Sequence, residues 1–181
     1  MPRVLVGAVV LLLALAGCGG DPKADPSPSP SVPSVSPVNT TPAPPALPEA
    51  ARANTKAGAI AFVKYYIGLF NRAQTSGHPE EMASFSAHAC DECNDVVAAL
   101  AKIYGSGGHI DGGDLRAHAA TADYNGAEDV WLVLIQIESG PQSVTTAAGA
   151  TATSLPGGRR SMRFSVKRSG DAWKVAAWSR T

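Results

Sequence analysis

The sequence predicts an α+β fold in which N-terminal helices pack on a curved antiparallel sheet of about four strands. Apolar residues recur at helical spacing up to about residue 104, and from about residue 115 they alternate with a period of two. Turn residues divide the second half into strand-length segments. Because both patterns begin only near residue 49, we expect one folded domain over residues 49–181.

Helical segments come first along the chain. The first runs through "KAGAIAFVKYYIGLFNRAQ", where Asn54 or Thr55 can cap its start and Gly77 can end it. A short helix is expected from Pro79, because proline suits a first helical position. A third helix follows the "CDEC" segment and stops at the glycines of "GSGG". The core-facing residues of the first helix are expected to be Ile60, Val63, Ile67 and Phe70.

The second half of the chain has the two-residue period of strands. Its clear segments are "GDLRAHAATADY", "EDVWLVLIQIE", "RRSMRFSVKR" and "DAWKVAAWSR", and a weaker one is "QSVTTAAGATATS". The second is apolar on both faces, which is typical of a central strand. A tight hairpin at Gly170 is expected between the last two strands. Their alternation predicts inward-facing Met162, Phe164 and Trp173, and outward-facing Arg163, Lys167 and Lys174.

The first 17 residues have the pattern of a bacterial lipoprotein signal peptide. Arg3 precedes an apolar run, Val4–Ala16, which is too short to span a bilayer. The run ends in "LAGC", where small residues precede Cys18, whose thiol can accept a diacylglyceryl group. An uncleaved anchor or ordinary signal peptide is the alternative. We therefore predict a mature chain that begins at lipidated Cys18 and is held at the cell membrane on its extracytoplasmic side.

A proline-rich segment follows, so that residues 18–48 form a lipidated linker. Proline alternating with serine, alanine and threonine cannot build a core and favours a disordered, extended tether. Such a tether would hold the domain away from the bilayer. Thr40 and Thr41 could carry O-linked sugars, although a plain spacer explains the composition equally well.

A family resemblance is carried by "NTKAGAIAFVKYYIGLFN", the "CDEC" pair and the terminal "GDAWKV". On these residues the region from Ala50 to Thr181 resembles the nuclear transport factor two-like cone fold, and more closely an uncharacterised family of actinobacterial lipoproteins with one such domain. The resemblance implies a cone-like sheet covered by helices. It implies no activity, because this fold carries enzymes, binders and inert modules alike.

Cys90 and Cys93 are the cysteines that remain if Cys18 carries lipid. Outside the cytoplasm an even pair favours a disulfide, which would fix the start of the third helix. Two alternatives stay open. A thiol at a helix start is acidified, so the pair could be redox-active, and His88 could join the two cysteines in a metal site.

The placement of acidic residues, serines and histidines along the sequence does not indicate a catalytic site. Most carboxylates fall at turns and helix starts, and Asp123 and Glu138 lie near strand ends. The serines and histidine of "SFSAHAC" lack the setting of a nucleophile elbow. The sequence therefore predicts no catalytic residue, no resident metal and no cofactor.

The formal net charge is zero, and this value gives no reason to expect nucleic-acid binding. The charged residues are nevertheless distributed unevenly along the chain. Residues 49–129 hold 6 basic and 11 acidic residues, whereas residues 130–181 hold 7 basic and 2 acidic residues. The basic residues of adjacent strands could form a patch for an anionic envelope component or an acidic protein, or a merely solvated face. The patch residues are Arg159, Arg160, Arg163, Lys167 and Lys174.

Two classes of function are consistent with these observations. The first is a membrane-anchored extracytoplasmic lipoprotein whose domain binds a partner at the cell envelope without catalysis. The second is a small cone-fold enzyme or ligand carrier with a pocket between helix and sheet. An ionisable group inside the cone would favour the enzyme. The sequence does not define an oligomeric state.

Overall fold

The structure, a computed structural model, describes residues 45–181. The predicted signal peptide, Cys18 and the linker up to residue 44 lie outside the described residues. Within residues 45–181 no helix is both long and apolar enough to cross a membrane.

Within residues 45–181, three helices follow a short 3-10 helix, Glu49–Arg52. They are α1 (Lys56–Ser76), α2 (Glu80–Ser84) and α3 (Asp91–Gly105). The predicted ends of α1 are confirmed: the hydroxyl of Thr55 accepts a hydrogen bond from the Gly58 amide at 3.1 Å, and Gly77 ends the helix with φ of 73°. Glycine adopts this left-handed conformation without the steric cost of a Cβ.

The described part of the chain has seven strands, which make two antiparallel sheets. They are β1 (His109–Gly112), β2 (Leu115–Asn125), β3 (Val130–Ser139), β4 (Gln142–Thr145), β5 (Thr153–Leu155), β6 (Gly158–Ser169) and β7 (Ala172–Arg180). The larger sheet has the order β2-β3-β6-β7 and matches the four predicted strands, with β3 in a central position. The smaller sheet, β1-β4-β5, is not among the predicted elements: the weak segment before β6 contributes two short strands, and β1 begins at His109, directly after the glycines that follow α3. The α+β class is thus confirmed.

The chain passes between the two sheets at sharp bends. Gly113 has φ of 80°, and its amide donates to the Pro141 carbonyl at 2.9 Å. At the neighbouring bend, a Cβ added to Gly157 would lie 2.5 Å from the carbonyl oxygen of Ser139. Glycine is required at both places, which explains the Gly-Gly and Pro-Gly segments that punctuate the strands.

The core lies between the helices and the inner face of the larger sheet. Trp173 is fully buried, stacks on Phe62 with ring centroids 5.7 Å apart, and donates from its indole N–H to the Ala51 carbonyl at 2.6 Å. This bond ties the start of the described chain to the last strand, so the indole is buried without an unsatisfied donor. The outer edge of β7 is covered as well, because Val175 exchanges backbone hydrogen bonds with Phe85 and Ala87.

Cys90 and Cys93 form a disulfide with Cα atoms 5.3 Å apart, as predicted. Both side chains are fully buried, and Cys90 occupies the cap position of α3, where its sulfur accepts from the Cys93 amide at 3.3 Å. The bridge therefore fixes the first turn of α3, which is the role expected for it.

Candidate ligand-binding site

A cavity of about 240 Å³ lies between the helices and the inner face of the larger sheet. Its helical wall comes from the second half of α1, with Met82 of α2 and Val96 of α3. Its other walls come from the ends of β2, β3, β6 and β7 that adjoin the bends, and from Leu155 and Pro156. Leu155 is 46% exposed and Arg180 is also exposed, so the cavity reaches the surface beside them.

Aromatic and aliphatic side chains form most of the cavity wall. Phe164 makes an edge contact with Tyr66 and a tilted contact with Trp178, each with ring centroids 6.4 Å apart. Ile67 and Met162 continue the same wall. Offset rings of this kind give a rigid apolar surface, which suits an apolar ligand.

The spacing between α1 and the sheet is fixed by one side chain. The amide of Asn71 donates to the Leu115 carbonyl and accepts from the Leu115 N–H, both at 2.9 Å. This pair of bonds satisfies the backbone of the first β2 residue, where no ladder partner lies on that side. Asn71 therefore holds the helix beside the strand that forms the cavity wall.

Two amide side chains form a polar part of the lining. Gln142 donates from Nε2 to Oε1 of Gln74 at 2.7 Å, and the Gln74 carbonyl accepts from the Tyr104 hydroxyl. Gln74 is only 6% exposed, yet its own Nε2 has no hydrogen-bond partner among the described residues. A buried amide N–H without a partner is rare and costs free energy of folding, and Gln74 is one of the residues that line the cavity.

Two guanidinium groups complete the lining, from Arg160 on β6 and Arg180 on β7. Arg180 lies directly opposite Met162, so Arg160 is its diagonal neighbour on the same face. Within residues 45–181 neither side chain makes an ion pair or a hydrogen bond. The polar part of the lining is therefore positively charged.

Groups suited to acid–base chemistry are not among the described residues that line this cavity. The hydroxyl of Tyr66 is bonded to the Ser86 hydroxyl at 2.8 Å. Burial raises the pKa of Tyr66, although the hydrogen bond with Ser86 lowers it in part, so the phenol is neutral at physiological pH. Among the described residues no group of three or more histidine, cysteine or acidic side chains is placed to hold a metal ion.

The five predicted patch residues lie in three different settings. Arg163 and Lys167 are exposed on the outer face of the larger sheet. Arg159 shares that face and is paired with Glu138 at 3.0 Å. Lys174 donates to the Ser84 carbonyl around the edge of β7, and Arg160 lines the cavity on the inner face.

Glu138 is the carboxylate that organises one end of the outer face. Besides Arg159 it contacts His118, whose Nε2 lies 3.1 Å from Oε2 of Glu138. The hydrogen bond from Arg159 is the main cause that holds the pKa of Glu138 below its ordinary value, and His118 contributes less. This cluster lies on the face opposite the cavity, so it does not act on a cavity ligand.

A pocket between helix and sheet is one of the two expectations from the sequence, but the polar groups of its lining are not predicted there, although one signal was present. Arg160 has the same strand parity as Met162 and Phe164, and Arg180 the same parity as Trp178, which indicates inward-facing arginines. Gln74 gave no comparable signal, because one glutamine near the end of a helix is normally a surface residue.

Comparison with known proteins shows the family to which the chain belongs. The chain belongs to a family of unknown function, DUF6318, whose model matches residues 36–178. Membership of an uncharacterised family is what the sequence resemblance implied, whereas the finer resemblance to nuclear transport factor two-like proteins stays a prediction. The chain matches none of the curated proteins with which it was compared.

Among solved structures, the intermembrane space region of the chloroplast protein ARC6 is similar, with a TM-score of 0.55 and 14% identity over 71% of this chain and 97% of that one. At this identity the likeness shows a shared fold. An uncharacterized protein with a cystatin-like fold from Caulobacter vibrioides matches with a TM-score of 0.44 and 11% identity, over 68% of this chain and 88% of that one.

Proposed function

We propose that this protein is a lipid-anchored extracytoplasmic lipoprotein whose folded domain binds a small ligand, without catalysis, in the cavity between α1 and the sheet. The observation that carries the proposal is the lining: apolar walls surround a volume of about 240 Å³ and a buried, unpaired amide donor. Apolar concavities with a few convergent polar groups are the usual sites of small-molecule binding.

Binding is favoured over catalysis by the same lining. An enzyme of this size needs an acid, base or nucleophile beside its substrate. Among the described lining residues the ionisable side chains are Tyr66 and two arginines, and burial raises the pKa of the Tyr66 phenol, so it keeps its proton at neutral pH. They can position a ligand but are not suited to transfer a proton.

The location is supported by two independent features of the chain. The "LAGC" segment after an apolar run is the acceptor pattern for a lipid thioether. The buried disulfide between Cys90 and Cys93 is typical of proteins that fold in oxidising compartments. Cys18→Ala should release the protein from membranes or leave unprocessed precursor. A Cys18→Ala chain that is still acylated and processed would contradict the anchor.

A neutral apolar dye, N-phenyl-1-naphthylamine, tests the binding site. We expect saturable, blue-shifted fluorescence with one dye per chain, measured on the Cys18→Ala chain so that no detergent competes. Val96→Trp adds a large side chain to the cavity wall and should abolish the signal. Leu134→Trp, at an exposed outer-face position, is the matched control and should bind normally. Equal binding by both folded variants would show that the dye binds elsewhere.

A second candidate function is docking of an anionic partner on the outer face. Arg163 and Lys167 favour it, since both are exposed and form no ion pair with a described carboxylate. Such binding would fall steeply with salt, because exposed charges are screened.

A further inference from the structure

We propose that the ligand of the cavity is a single-chain amphiphile with an oxyanion headgroup, a carboxylate or a phosphate, bound by Arg160 and Arg180 with its chain against the apolar walls. This inference rests on the proposed function and adds the chemical class of the ligand. Three observations carry it: the placement of two arginines, the unpaired amide of Gln74, and the size and polarity of the cavity.

Arg160 and Arg180 are placed to share one anion. The register puts Arg180 opposite Met162, so Arg160 is offset by two residues on the adjacent strand. Diagonal neighbours of this kind have Cα atoms about 7–8 Å apart, which long side chains can bridge. Arginine also presents paired N–H donors that match the geometry of a carboxylate or phosphate.

Neither of these two arginines forms an ion pair within the described part of the chain. Arg159, the residue next to Arg160, lies on the other face and is paired with Glu138. By contrast, no described carboxylate reaches Arg160 or Arg180. Two like charges at this separation repel, and a bound anion would convert that repulsion into two attractive contacts.

Gln74 supplies a donor from the helix side. Its Oε1 is engaged by Gln142 at 2.7 Å, which fixes the orientation of the amide and leaves Nε2 without a partner. The donor is buried, and Gln74 is one of the residues that line the same cavity as the two arginines. An oxyanion or its bound water is the acceptor that this buried N–H lacks.

The cavity volume limits the rest of the ligand. About 240 Å³ is smaller than the ~300–1,000 Å³ of pockets that hold drug-sized ligands. It therefore suits one short acyl chain rather than a two-chain phospholipid. Tyr66, Phe164 and Trp178 contact such a chain, and exposed Leu155 continues the apolar surface towards solvent.

Displacement of the neutral dye separates the headgroup from the chain. Decanoate, decyl phosphate and decanol share one alkyl chain and are compared below the concentrations at which they form micelles. We expect at least one anion to displace the dye about tenfold or more better than decanol, because charge-assisted hydrogen bonds to arginine are stronger than those that a neutral hydroxyl forms. The better of the two anions identifies the headgroup as carboxylate or phosphate.

Arg160→Gln/Arg180→Gln should reduce displacement by that anion to the level of decanol measured on the same variant, so that the comparison does not depend on the affinity for the dye. The matched control is Arg163→Gln/Lys167→Gln, which removes the same charge from the outer face and should keep the preference. If both double variants lost the preference for the anion over decanol to the same extent, the effect would be one of net charge at long range. The assignment of Arg160 and Arg180 as the headgroup site would then be wrong.

The outcomes also separate this inference from the proposed function. If the dye does not bind the wild-type cavity, the proposed function fails. If the dye binds but all three alkyl compounds displace it equally, the cavity binds ligands and the oxyanion inference alone is wrong. If the preference persists without both arginines, the assigned headgroup site is wrong.

Discussion

The inner and outer faces of the larger sheet are built from alternate residues of the same strands, but their arginines differ in ion pairing and in surroundings. On the outer face Arg159 is paired with Glu138 and lies in solvent. On the inner face Arg160, its neighbour in sequence, lines an apolar cavity with Arg180 and has no described carboxylate beside it. A paired surface charge contributes little, whereas an unpaired charge beside apolar walls attracts an anion.

The two faces differ in the same way in their apolar residues. Val133, Ile135 and Ile137 of β3 are fully buried on the inner face, whereas Leu134 between them is 43% exposed. Strand parity alone therefore separates a core with a binding cavity from a solvated surface. Substitutions on the two faces should therefore differ in their effects on stability and on ligand binding.

The largest expected effect is on the inner face. Trp173→Ala removes a fully buried indole together with its hydrogen bond to Ala51, and should lower the free energy of unfolding by about 3–5 kcal/mol. Leu134→Ala should change it by less than about 1 kcal/mol, because the side chain is already half in water. Urea unfolding followed by circular dichroism measures both. Equal losses would mean that the two faces are not distinct.

A smaller effect is expected from the disulfide that positions α3 over the inner face. Cys90→Ala/Cys93→Ala should lower the free energy of unfolding by about 2 kcal/mol, the value for a very short loop. The cavity should still bind the dye, because neither cysteine lines it. Thermal unfolding with and without reductant checks the wild type. A redox role would instead be indicated by dithiol exchange with little change in stability.

Charge reversal on the outer face should leave the fold intact. Arg163→Glu/Lys167→Glu is expected to change the free energy of unfolding by about 0.5 kcal/mol or less, since both side chains are exposed. Dye binding in the cavity should not change. If the outer face docks anions, the wild-type protein should bind polyphosphate at low salt. This binding should be lost in the variant, and it should also be lost in wild type at high salt. A change in dye affinity would show that the faces are coupled.

The smallest effect concerns Glu138 and pH. Arg159 holds the pKa of Glu138 below its ordinary value of 4.5. The Glu138–Arg159 pair therefore contributes to stability above pH 4.5, and this contribution is lost as the pH falls through the lower pKa of the folded state. The melting temperature of wild type should exceed that of Glu138→Gln slightly at pH 7, and the difference should vanish in acid. A difference that grows as pH falls would contradict this pairing.

Sequence patterns predicted most of the fold because its elements are locally encoded. Thr55 and Gly77 bound α1, and the alternation in "RRSMRFSVKR" sorts the two faces of β6. The smaller sheet was missed because β1, β4 and β5 are short and only partly apolar, and they form where glycines bend the larger strands. Such pairing depends on tertiary context more than on propensity.

The candidate site was harder to predict than the fold. Alternation assigns Arg163, Lys167 and Lys174 to the outer face, but the basic patch was defined by the charge of adjacent strands without regard to face. Arg160 was therefore grouped with Arg159 and Arg163, although its neighbours in parity are Met162 and Phe164. The unpaired amide of Gln74 depends on Gln142, 68 residues away in sequence, and no local pattern reports that contact.

The most direct test compares Arg159→Gln with Arg160→Gln, two adjacent positions that lose the same charge from opposite faces. We measure how much better decanoate or decyl phosphate displaces the dye than decanol does. Arg160→Gln should reduce that preference about tenfold, and Arg159→Gln should leave it unchanged. An equal reduction in both, or a reduction in Arg159→Gln alone, would contradict the account.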